Sequence, residues 1–401
     1  MAELLSTTGE MCLLHPDGHK VVSGSGTIVA SEHRLEVRIS VGRPFWIEYA
    51  SIAEVELVGG TLPLVLDSGH TVRLSSLATP DRLSGIVVEG RRSELSAKLR
   101  LPGREARLET EGVVEWSEHG WVAQVDAASV VVDNTHLTVV PDHHRPFAVP
   151  LQWLRSVTRA SASIAAEAER STLRMRIALG ADDEASEFVD AVAESKERLR
   201  AGLTERLGPG LAPWAVGPLA SGSSLTQADL EDPGSGGAPE GSWRALLDAL
   251  CAEPARGALA ILDRLARSGE MRVGVSSVPA PDGHCEPIAW VLAPAVGRGT
   301  PGPTLVHVLT HEAPATVAFA VSDISSGPLV ALEQACGALA PDFRPLGLTD
   351  IDLANADGGA WLWPVRHLEP LVQARRLFAG QALTEDPAAW SRELLALLTR
   401  R

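Results

Sequence analysis

His307, His311 and Glu312 stand in the order His-Val-Leu-Thr-His-Glu. On a helix that spacing would turn two imidazoles to one face, where they could share one zinc ion. The metalloprotease pattern needs Glu directly after the first His, and Val308 occupies that place. The surrounding "PTLVHVLTHE" also reads as a strand, in which residues four apart lie about 13 Å from each other. His307 and His311 are therefore expected as structural polar positions, with a ligand pair as the weaker alternative.

Other reactive side chains have bland expectations. His15, His19, His33, His143 and His144 could gather near sheet ends but read as exposed turn histidines. "PDGH" occurs at Pro16–His19 and again at Pro281–His284, and Pro-Asp-Gly is turn chemistry. Cys336 lies in the apolar run "LEQACGALA" and should be an inert buried thiol. Cys285, beside His284, is the more exposed thiol, although adjacent residues rarely orient as a catalytic pair. "GRGTPG" at 297–302 lacks the Gly-Lys-Ser/Thr of a phosphate loop, and no Gly-x-Ser-x-Gly elbow occurs. "DIDLANADGG" lacks the closing Glu of a calcium loop and reads as an acidic turn. Trp361 and Trp363 flank Leu362, so an extended segment would place both indoles on one face. With Trp290 and Trp390 they should fill a second core, or else line a peptide-recognition groove.

Bulk composition narrows the function classes. The chain of 401 residues is 45% apolar, which is enough for two or three domain cores. Aromatic residues are only 4%, so those cores must be built from Leu, Val, Ile and Ala. Net charge is −16, which repels nucleic-acid phosphate and anionic lipid alike. The four cysteines form no Cys-x-x-Cys pair, so neither a disulfide framework nor a structural zinc site is expected. The first residues show no basic segment followed by an apolar one, and no run approaches the ~18 apolar residues of a membrane span. The expected compartment is a reducing cytoplasm.

The elements that position these residues show a repeat. "GRPFWIEYASIAEVEL" begins at Gly42 and "HRPFAVPLQWLRSVTR" at His144. Arg43-Pro44-Phe45 falls on Arg145-Pro146-Phe147 at an offset of 102 residues (145 − 43), and Leu35, Val37 and Val55 fall on Leu137, Val139 and Val157. The offset is too long for a solenoid and suits a duplicated domain. Each copy reads as short strands rich in Val, Ile, Leu and Thr, followed by a helix. The first helix, "TPDRLSGIVVEGRRSELSAKL", has Thr79 as N-cap and Pro80 at the first position, with Gly85 and Gly90 each costing about 1 kcal/mol relative to Ala. The second, "DDEASEFVDAVAESKERLRAGLTERL", opens on acids and closes on arginines, as the helix dipole prefers.

"ASEHRLEV" and "VDNTHLTVV", followed by "FWIEYASIAEVEL" and "FAVPLQWLRSV", resemble strand segments of bacterial pleckstrin-homology-like (PH-like) and GRAM-like domains, over roughly residues 10–205. The resemblance implies two antiparallel β-barrels, each closed by a C-terminal helix, and a non-catalytic fold used for phosphoinositide binding, peptide binding or dimerisation. The basic first loop by which lipid-binding members hold phosphate is not evident: "HPDGHKVVSGSG" has one Lys and "WSEHGWVAQVD" has none.

The expected division is PH-like domains at 10–105 and 110–206, a Gly/Pro/Ser-rich flexible linker at 207–242, and an α+β domain with an antiparallel meander at 243–401. That last domain should end in "PVRHLEPLVQARRLFAG" as a helix and in a second helix capped by Asp386 with Pro387 at its first position. The favoured function is a non-catalytic scaffold that recognises protein or peptide partners, with no cofactor and no metal. Nucleic acid is not an expected partner. The alternatives are an enzyme led by His307, His311, Asp350 and Asp352, and a peripheral lipid-binding protein.

Overall fold

A computed structural model describes residues 3–40, 43–117, 123–168, 173–232, 237–251, 259, 262, 271–279, 285–295, 304–309, 315–321, 326–339, 343–383 and 386–399. Two curled seven-stranded antiparallel sheets come first, and their strand orders are the same. Sheet one contains β1 (Glu3–Leu14), β2 (Lys20–Ser31), β3 (Arg34–Ile39), β4 (Phe45–Glu48), β5 (Ile52–Val55), β6 (Leu62–Leu66) and β7 (Thr71–Ser75). Its order is β4-β3-β2-β1-β7-β6-β5, so the first strand lies at the centre. Sheet two repeats this order with β8 (Ala106–Ser117), β9 (Gln124–Asp133), β10 (His136–Pro141), β11 (Phe147–Pro150), β12 (Leu154–Ala160), β13 (Ser163–Ala168) and β14 (Arg174–Leu179).

Period-two alternation builds these sheets: β14 buries Met175, Ile177 and Leu179 and exposes Arg174, Arg176 and Ala178. Strands β9 and β10 are buried almost throughout, because both of their faces are covered. Helix α1 (Pro80–Lys98) follows sheet one, with Pro80 in its first turn as the sequence suggests. It buries Leu83 and Val87 in the core that holds Tyr49, Ile52 and Leu64, and it also touches β9 and β10 of sheet two. Farther along, Leu95 and Leu99 join a core built mainly from residues beyond 290.

Helix α2 (Asp182–Ala220) follows sheet two and overturns the expectation of a linker from residue 207. At Gly208 the backbone takes φ 64°, a left-handed value that favours glycine, and Pro209 starts a second helical segment. Phe188, Ala191 and Val192 pack in the core of sheet two. Leu211, Ala215, Val216 and Leu219 pack against Val273, Val275 and Ala289 instead. The stretch is Gly- and Pro-rich, yet its leucines and valine keep helical spacing and find a surface to cover. Short helices α3 (Gln227–Glu231) and α4 (Ser242–Leu250) follow, and residues 233–236 lie outside the described set.

The last part is α+β. Strands β15 (Arg272–Pro279), β16 (Cys285–Ala295), β17 (Thr304–Leu309) and β18 (Ala315–Val321) make the expected antiparallel meander. Helices α5 (Ser326–Leu339), α6 (Arg344–Gly347), α7 (Asp350–Asn355), α8 (Leu362–His367) and α9 (Glu369–Leu377) lead to β19 (Phe378–Leu383), which pairs with β18. The single helix expected over 364–380 is thus two helices and a strand. Helix α10 (Pro387–Thr399) closes the chain, with the Asp386 carboxylate accepting from Ala388 N at 3.0 Å.

Candidate functional site

The two sheets meet along a seam made by the second Arg-Pro-Phe segment. Val37 pairs with Phe45 in sheet one, and Val139 pairs with Phe147 in sheet two, so the register repeats at the same 102-residue offset (147 − 45). Both phenylalanines are half-buried against their own sheet's core. The flanking residues differ. Arg43 and Pro44 are exposed, whereas Pro146 is buried and Arg145 donates to Glu54 of sheet one at 2.6 Å. Val55 N donates to His143 O at 3.0 Å across the same seam.

Arg91, on α1, holds the seam from inside. Its side chain is fully buried and donates to five main-chain carbonyls: Ile52 (2.9 Å) and Ala53 (2.6 Å) of sheet one, and Pro141 (2.5 Å), Asp142 (3.2 Å) and His144 (2.6 Å) of sheet two. Burial pushes the guanidinium down to about 10, against the pull of Asp126, Asp142 and Glu54, so it stays charged at neutral pH. Arg91 was missed in the sequence. It nevertheless falls on the stripe Leu83–Val87–Arg91–Leu95, a four-residue periodicity that points it inward.

The turn histidines form three separate groups. His15 and His19 flank Asp17 at the β1–β2 turn, with Nδ1–Oδ1 distances of 3.0 and 2.5 Å. The His19 backbone N–H and both imidazoles hold the Asp17 carboxyl below its ordinary range. His33 meets Glu94 at 2.6 Å. His143 and His144 share the buried carboxylate of Asp126, at 2.8 and 3.0 Å, which lies close behind the seam.

Trp361, Trp363, Asp350 and Asp352 of the last part make core contacts, ion pairs and a helix cap. Trp361 and Trp363 do not share an extended face: Trp361 immediately precedes α8, Trp363 lies within it, and two residues on a helix point in different directions. Both are half-buried against one core cluster, and Lys98 Nζ stands 4.9 Å from the Trp363 ring. Asp350 pairs with Arg375 at 2.7 Å and Arg366 at 3.4 Å, while Asp352 caps α7 through Thr349. Arg366 also reaches Asp67 of sheet one at 3.0 Å, and buried His367 lies 3.9 Å from the same carboxylate. Cys336 is fully buried, and burial pushes its thiol well above the usual range. His307 lies on β17, registered with Ala293 and Ala318, and His311 falls outside the described residues.

A hollow of about 340 Å³ opens on the outer face of sheet two. Two cross-strand rows build it. Glu115 on β8 pairs with Arg176 on β14, which pairs with Ala165 on β13, which pairs with Thr158 on β12. In the next row Ser117 meets Arg174, then Glu167, then Ser156. Short side chains beside long ones create the depression, and Arg174 Nε lies 3.4 Å from Glu167 Oε1. Each arginine thus has a carboxylate directly across the ladder, so charge is balanced within the hollow. The alternation "TLRMRIAL" shows in sequence that Arg174 and Arg176 share a face. Their acidic neighbours come from strands far away in the chain and carry no local signal.

No protein-family model matches this chain, and no curated protein does. Among solved structures, that titled "Structure of the Spt16D Pob3N heterodimer" aligns with 45% of this chain and 99% of its own, at 14% identity and a TM-score of 0.17. Among the described residues no helix is long and apolar enough to cross a membrane.

Proposed function

We propose that this chain is a non-catalytic scaffold built on a duplicated PH-like module, and that the hollow on sheet two binds an extended peptide segment carrying both charges. The observation that carries this reading is the pair of cross-strand rows Glu115–Arg176–Ala165–Thr158 and Ser117–Arg174–Glu167–Ser156. An extended peptide fits such a surface because hydroxyls can bond its main chain while alternating charges select its side chains. A phosphate headgroup fits it poorly, since Glu115 and Glu167 stand beside the two cations. The repeated strand order and the repeated Val–Phe register support the duplication. The Arg91 seam supports the scaffold role, because it holds the two modules in one fixed geometry and a bound segment meets a preorganised surface.

The test is a displayed random-peptide library panned on the full chain. Enriched peptides should contain acidic and basic residues together. Arg176→Glu, which places two carboxylates side by side with Glu115, should weaken them at least tenfold, about 1.4 kcal/mol. Peptides that bind the parent and Arg176→Glu equally would sink the assignment of the hollow. Enrichment of no peptide family would sink the scaffold reading itself.

A further inference from the structure

The β1–β2 turn carries a second constellation, independent of the hollow. We propose that His15, Asp17 and His19 form a binding site for one divalent transition-metal ion, Zn²⁺ foremost. Backbone bonds fix the turn: Gly18 N donates to His15 O at 2.8 Å and His15 N to His19 O at 2.9 Å. Gly18, at φ 89°, takes a backbone shape that a side chain would strain. The two imidazoles are thereby stacked, with centroids 4.6 Å apart and planes inclined by 23°. Both Nδ1 atoms turn to the same oxygen, Asp17 Oδ1. One ligand atom from each residue lies within 4.8 Å of the others. A tetrahedral zinc ion with bonds of about 2.0–2.1 Å holds its donors roughly 3.3 Å apart, so small side-chain rotations suffice. The neighbouring β6–β7 turn packs beside the site, where the His70 ring meets His15 edge-on at 5.2 Å.

Donor chemistry selects the ion. Two imidazoles and one carboxylate suit Zn²⁺, Co²⁺, Ni²⁺ or Cu²⁺, whereas Ca²⁺ and Mg²⁺ prefer oxygen throughout. A neutral imidazole carries one ring hydrogen, and the tautomer that places it on Nε2 frees the Nδ1 lone pair for the ion, while water fills the remaining positions. The side chains are 44%, 60% and 61% exposed, so an ion can enter without unfolding. The Asp126–His143–His144 group offers the same residue types but differs in its carboxylate. Asp126 is buried, bonds the His143 main chain at 2.7 Å, and helps balance Arg91.

The experiment uses the full, tag-free chain after chelator treatment, titrated with Co²⁺ by visible absorption and then with Zn²⁺ in competition. One equivalent of Co²⁺ should give the intense bands of a tetrahedral site, and Zn²⁺ should bleach them. His15→Ala and His19→Ala should each lower affinity at least about tenfold, while His143→Ala leaves it unchanged. The absence of stoichiometric binding to the parent overturns the proposal, as does unchanged affinity in a folded His15→Ala/His19→Ala double variant.

Discussion

A guanidinium that donates to five main-chain carbonyls cannot leave without stranding them in a dry seam. Arg91→Met keeps much of the volume but removes every donor, and Arg91→Lys keeps the charge but cannot span both sheets with one ammonium. Each should cost at least about 3 kcal/mol, because hydrogen bonds to charged groups contribute about 1.5–3 kcal/mol apiece and the orphaned acceptors add to the loss. Urea unfolding of the two variants checks this, and a loss below about 1 kcal/mol for Arg91→Met would show that water satisfies the seam. The same residue shows what sequence reading misses. Its helical stripe was legible, but its five acceptors come from two sheets brought together only by folding.

At the scale of elements, helix α1 contains a glycine that its propensity argues against. A Cβ on Gly90 would lie 2.4 Å from the Tyr49 ring, so the residue that weakens the helix also lets it approach sheet one. Gly90→Ala should therefore destabilise by about 1–3 kcal/mol despite its better helix propensity, whereas Gly85→Ala, with open space around it, should stabilise slightly. Thermal melts of the pair give the two signs directly. Strands were legible where alternation was clean, as in "TVRLSSL" and "TLRMRIAL". Strands β1 and β8 carry a weak sequence signal because Thr7, Thr8 and Gly9, and Glu109, Glu111 and Gly112, dilute the apolar period at the centre of each sheet. Strand β19 was hidden behind the helical pattern that runs into it. Of the hollow, only its two arginines could be placed on a common face, since register between distant strands has no local signature.

At the scale of the whole molecule, acid should loosen the docking of the last part onto sheet one. His367 is buried beside Asp67, and burial pushes its imidazole down to about 3, helped by the cations Arg91, Arg366 and Arg145. In the unfolded chain it titrates near 6.5, so between pH 6.5 and 3 the unfolded state binds a proton that the folded state refuses. Stability present at neutral pH is therefore lost as pH falls through that window, with a limiting slope of about 1.4 kcal/mol per pH unit. Buried His136, also pushed well below its ordinary value, adds a slope of the same sign. Asp67, raised by burial, opposes them only once the pH reaches the carboxylate range. Melting temperatures from pH 7 to 4 should fall more steeply for the parent than for His367→Gln, and parallel curves would remove His367 from the account.

Helix α2 also has a consequence in time. Its second segment buries Leu211, Val216 and Leu219 against Val273 and Val275, which begin 53 residues after the helix ends (273 − 220). At about 5–20 residues per second of synthesis, that apolar stripe waits roughly 3–10 s for the strand that covers it. Until then only the nearer residues of the same cluster, such as Leu225, Trp243 and Leu246, can cover the ridge on the ribosome, so it stays partly exposed just where its composition suggests an inert tether.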